Sequence, residues 1–175
     1  MRHELEGWRS AQARGPDGTI ESDERVQAAR TVVPPTEEGA RRLGDRYWRE
    51  VAYASGGLVR VRWTAAGPEL RLLGRGPRLL RFAPAETVHV PGCVSCRFEI
   101  LGGVLAQRPG GALELSQTGK DEPELRAAVT GFVPRLGLRP GSPRWSGALY
   151  DHVQRRLHVA ISRRYFRRLI EEAAS

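Results

Sequence analysis

Cys93-Val94-Ser95-Cys96, with His89 four residues upstream, is the stretch whose residue types most resemble a chemical site. Thiolates and an imidazole at this spacing could ligate zinc, and a CxxC pair could cycle with a disulfide. A zinc site wants a fourth ligand, and the other histidines are His3, His152 and His158, with no second CxxC. In a regular strand, residues three apart project to opposite faces. Cys96 would then point inward with Phe98 while Cys93 points out, and the sulfurs approach only if Pro91-Gly92-Cys93 is a turn. A redox CxxC normally opens a helix, whereas this one opens a strand. The expectation is a buried Cys96 beside an incidental Cys93, with no metal and no other cofactor. A thiol or zinc site at His89, Cys93 and Cys96 is an alternative.

A second grouping is the run of arginine pairs Arg155-Arg156, Arg163-Arg164 and Arg167-Arg168. On one helix they could grip the phosphates of a nucleic acid or an anionic membrane surface. As structure, they are a solvated face whose stems shield the core. They spread around the helix instead of forming one stripe, and Phe166 among them reads as core. Nucleic acid is therefore a disfavoured partner and the membrane surface more so; a basic surface module that binds either through these C-terminal arginines is an alternative function. Gly74-Arg75-Gly76 and Gly110-Gly111 are too short for a phosphate-cradling loop, and no GxGxxG or P-loop is present. Asp151-His152 invites a triad, yet no serine carries a nucleophile-elbow signature. His152 and His158 lie six apart, on different helix faces, and read as surface histidines. Glu99 and Glu114 fall on a polar face, within pairing range of Arg97 or Arg126. No catalytic set stands out, and the chain reads as a binding protein in preference to an enzyme.

The remaining candidate is an apolar face. Trp63, Phe82, Phe98, Leu115 and Val129, from successive strands, would face Tyr150, Val153, Leu157 and Ile161 of a C-terminal helix. Gln117 is the polar group ending this row. If strands and helix meet, these residues are a core, and Gln117 is satisfied by backbone. If the sheet bows away, they line a pocket of at least ~300 Å³ in which Gln117 hydrogen-bonds a ligand. Both outcomes stay open at this point.

The elements that would position these residues follow from periodicity. Residues 1–33 are polar and near charge balance, and are expected to form a mobile or loosely docked arm, with Ser22-Asp23-Glu24 capping a short helix through Arg30. After Pro34-Pro35, Thr36 is a good N-cap, with Glu37 and Glu38 in the first turn. Leu43, Tyr47 and Val51 then mark an amphipathic helix ended by Ser55-Gly56-Gly57. Tyr47 and Trp48 read as packing between helix and sheet before they read as a ligand gate. Alternating residues predict strands around Val59–Trp63, Leu70–Leu72, Leu80–Phe82, Val88–Val90, Val94–Ile100, Ala112–Thr118 and Leu125–Val129, separated by Gly- and Pro-rich turns. Ser142-Pro143 or Ser146 opens a last helix carrying the stripe Tyr150, Val153, Leu157 and Ile161, with a bend expected near Ser162.

The expected fold is α+β: a curved antiparallel sheet of six or more strands packed on a long C-terminal helix, with an N-terminal helix, over residues 34–175. This order resembles the SRPBCC, or START-like, helix-grip superfamily across about Thr36–Ala173. Gly102-Gly103 and Gly110-Gly111 punctuate the matching hairpin. The resemblance implies a hydrophobic cavity between sheet and C-terminal helix and transfers no catalytic residue. It also implies a strand ahead of the first helix, for which only Thr31-Val32-Val33 offers itself. A lipocalin-like barrel is the runner-up.

At 175 residues, with a net charge of +8 and 40% hydrophobic residues, the chain can bury a sizeable core. Two cysteines are too few for a disulfide-framed secreted domain. The charged N-terminus lacks a signal-peptide core, and no apolar run reaches the length of a transmembrane segment. The expectation is a cytoplasmic bacterial protein that binds a hydrophobic small molecule. Its oligomeric state is not legible in the residues.

Overall fold

The computed structural model describes residues 5–135 and 144–174, with side chains in the last helix described from residue 158. The elements in chain order are β1 (Arg9–Arg14), β2 (Ile20–Gln27), α1 (Glu37–Ala54), β3 (Val59–Thr64), β4 (Gly67–Leu72), β5 (Arg78–Phe82), β6 (Glu86–Val90), β7 (Cys93–Gly102), β8 (Ala112–Thr118), β9 (Glu124–Phe132) and α2 (Arg144–Ala174). Among the described residues the nine strands form one open antiparallel sheet in the order β1-β2-β9-β8-β7-β5-β4-β3. β6 and β5 follow one another along the same edge of β7. The fold is the expected α+β layout of curved sheet and two helices.

Helix α1 begins where capping chemistry places it: Thr36 Oγ1 accepts a hydrogen bond from Gly39 N at 3.1 Å. Its buried stripe, Ala40, Leu43, Tyr47 and Val51, recurs every three or four residues and faces the sheet. The approach is close. A Cβ on Gly44 would lie 2.9 Å from Phe98 Cζ and 3.1 Å from Cys96 Sγ, so only glycine lets this turn of helix settle on β7. Trp48 then packs edge-on against Phe98 and tilted on Phe82, at centroid distances of 5.1 and 4.9 Å.

The hairpin β7–β8 pairs Cys96 with Leu115 and Phe98 with Leu113, a register that sends both pairs to the buried face. Gly102, Gly103, Gly110 and Gly111 between the strands all adopt positive φ. A Cβ on Gly111 would come within 2.6 Å of Thr130 O on β9.

Two expectations are corrected. The described part of the N-terminal stretch is no loose arm, and Ser22–Glu24 caps no helix. These residues lie in β2, paired in register from Ser22↔Val129 to Gln27↔Glu124. Ser22, Glu24 and Val26 alternate as its buried face. The strand ahead of the first helix is thus β2, while Val32 and Val33 are buried in irregular backbone. The expected bend near Ser162 is likewise unnecessary. Ile161, Ser162, Tyr165, Phe166 and Leu169 are buried, so the apolar stripe continues at i+4 from Ile161 to Tyr165 and Leu169.

α2 lies against α1. Tyr47 and Tyr165 stack edge-on at 5.4 Å, and Arg46 pairs with both Glu50 and Glu172, at 3.2 and 2.8 Å. Arg164 also binds Glu50, with its guanidinium 3.6 Å above the Tyr53 ring.

Candidate functional site

Where the sheet bows away from the helices it leaves a cavity of about 430 Å³. Its walls come from both halves of the chain. α1 contributes Tyr47, Trp48, Val51 and Ser55; β3 to β5 contribute Val59, Leu70, Leu79, Leu80 and Phe82. Ile100, Leu105, Leu113, Val129 and Phe132 form the floor, and β1, β2 and α2 close the far side with Gln12, Ala13, Arg14, Ile20, Ser22, His158 and Ile161. The lining is dominated by aliphatic and aromatic carbon, with its polar groups gathered mainly on the side of β1, β2 and α2.

That polar side has a definite geometry. His158 Nε2 lies 2.9 Å from Glu24 Oε2 and 3.0 Å from Ser22 Oγ. Glu24 has no exposed surface, and its other oxygen accepts from Ser10 Oγ at 3.4 Å. A buried carboxylate needs such partners. Serine and carboxylate both meet the same imidazole nitrogen, whereas a nucleophilic triad sets them on opposite nitrogens. The cluster is therefore arranged as a hydrogen-bonding wall. Burial, reinforced by the negative charge of Glu24, raises the Tyr47 hydroxyl above its usual range, so it stays protonated as a potential donor.

The expected site residues divide into five groups. Phe82, Val129 and Ile161 line the cavity. Phe98 and Leu115 are buried in the core, outside the cavity lining. Trp63 is 54% exposed at the end of edge strand β3, away from the cavity, because no further strand covers it. Tyr150, Val153 and Leu157 have side chains outside the described residues. Gln117 is bound to backbone: its Oε1 accepts from Val32 N and Val33 N at 2.7 and 3.0 Å, and its Nε2 donates to Val33 O at 2.8 Å. It tethers the segment entering α1 and is not part of the cavity lining.

His158 corrects a further expectation. It is no surface histidine, since its side chain is only 17% exposed and faces Ser22 and Glu24. Tyr47 and Trp48 are at once buried and part of the cavity wall. The thiols stay apart in role: Cys96 is buried and Cys93 partly exposed, both free. Burial, with Asp45 nearby, pushes the Cys96 thiol up to about 12, which makes it unreactive. No cluster of three or more metal-ligating side chains occurs among the described residues. The described C-terminal arginines are largely engaged within the fold, with Arg163 stacked 5.0 Å from the Trp8 centroid and Arg168 paired to Glu171 at 3.1 Å.

The sequence matches no protein-family model, and no curated protein matches it. Among solved structures, the crystal structure of Ara h 8.0201 is similar at 12% identity and a TM-score of 0.38, covering 85% of this chain and 99% of that one. CalU16 from Micromonospora echinospora is similar at 14% identity and a TM-score of 0.32, over 72% of this chain and 70% of its own. Likeness at this level carries no functional weight. No described helix is long and apolar enough to cross a membrane.

Proposed function

We propose that the chain is a non-enzymatic, helix-grip-like binder of an apolar small molecule. The observation that supports this most is the cavity of about 430 Å³ lined mainly by carbon, a volume in the range of sites for small organic ligands. The same strands that build the sheet contribute Phe82 and Val129 to its wall, and α2 contributes Ile161. The grouped Ser22 and His158 suit a ligand with an apolar body and one hydrogen-bonding group, placed at the β1–β2 end. Such groups orient a ligand while burial of carbon supplies most of its affinity.

Titration with the uncharged fluorophore N-phenylnaphthylamine tests this reading. Saturable enhancement is expected for the parent protein. Val129→Phe, which adds a ring beside Leu113 at the floor, should abolish it while leaving the melting transition cooperative. Enhancement that never saturates, or that survives Val129→Phe unchanged, would contradict the reading.

A further inference from the structure

We infer that the outer face of β3, β4 and β5, together with the turn between β4 and β5, docks on an anionic lipid bilayer. Strand register builds this face. Arg60 lies opposite Arg71, and Arg71 opposite Arg78; in the next row Arg62 faces Glu69, which faces Arg81. Five arginines and one glutamate therefore share one side of three adjacent strands. Glu69 is engaged by Arg71 at 3.0 Å and by Arg78 at 3.8 Å. Arg60, Arg62 and Arg81 are exposed and make no ion pair among the described residues. Like charges on directly opposed strands oppose sheet formation, so a partner that neutralises them would be favoured.

Lipid is preferred over nucleic acid because of what borders the arginines. Leu58 and Leu73 are 57% and 66% exposed, and Leu73 N donates to Leu58 O at 2.7 Å, which joins them at one tip. Exposed leucines gain nothing against a phosphodiester chain, but they bury carbon at a bilayer interface while arginines meet anionic headgroups. Leu73 holds a left-handed φ of +51°, unusual for so bulky a residue, and the turn presents it to solvent. The opposite face of these strands supplies Val59, Leu70 and Leu80 to the cavity. Docking is nevertheless independent of whether the cavity is filled.

Co-sedimentation of the full chain with vesicles of phosphatidylcholine, alone or mixed with phosphatidylserine, tests the inference. Binding is expected only to the mixed vesicles. Replacing both Arg60→Gln and Arg62→Gln should weaken it about 30-fold, at roughly fivefold per arginine near a charged surface. Leu73→Asn should weaken it about tenfold while preserving the fold, because asparagine tolerates positive φ. Equal binding to both vesicle types, or variants that bind like the parent, would overturn the inference. So would Arg60- and Arg62-dependent binding of a polythymidine oligonucleotide without vesicle binding.

Discussion

Gln117 shows how far a single polar side chain can be read before its surroundings are known. In the sequence it ends an apolar row, which is where a ligand-facing amide would sit; in the fold its hydrogen bonds all go to Val32 and Val33. Gln117→Leu would strand two buried amides and should cost about 2–4 kcal/mol in chemical denaturation. An unchanged midpoint would show that this segment does not depend on the tether. Asp23 makes a second prediction. Hydrogen bonds from Arg25 and then Arg126 lower its carboxyl from the usual 3.8 to about 2. Because the folded value is depressed, this contribution is fully present above pH 4 and is lost as pH falls through 2. Given its partial exposure it amounts to about 1 kcal/mol. Asp23→Asn should flatten the stability profile across that window, and an unaltered acid limb would contradict the assignment.

At the scale of elements, α1 and the strands from β3 to β9 were legible because caps, turns and alternation agreed. Thr36, the stripe from Leu43 to Val51, and the glycine pairs each carry one physical instruction, and together they allow little else. β2 escaped for the opposite reason. Its buried positions include Ser22 and Glu24, so the inward face carries the polarity expected of a surface. β1, the polar edge strand Arg9–Arg14, offers even less alternation. The failure of the binary pattern thus coincides with the polar wall of the cavity. The burial of His158 is hidden in the sequence for the same reason, since its partners Ser22 and Glu24 come from β2. The packing of α1 yields its own prediction. Gly44→Val would push against Phe98 and Cys96, and the helix-to-sheet contact should lose about 2–3 kcal/mol. Unchanged thermal stability would mean that α1 can lift off β7 without loss.

For the molecule as a whole, an open sheet bowed around two helices buries a continuous core yet keeps a pocket near its centre. α1 closes that pocket as much as α2 does, which widens the original expectation of a roof made by the C-terminal helix alone. The pocket was only half legible in the sequence: alternation identifies which residues face inward, but sheet curvature decides whether they touch. Native mass spectrometry of the protein purified from its own host tests the central claim most directly. The account predicts a stoichiometric small-molecule adduct on the parent protein, absent from Val129→Phe. A bare polypeptide mass in both, or an adduct that persists when the cavity is filled, would contradict it.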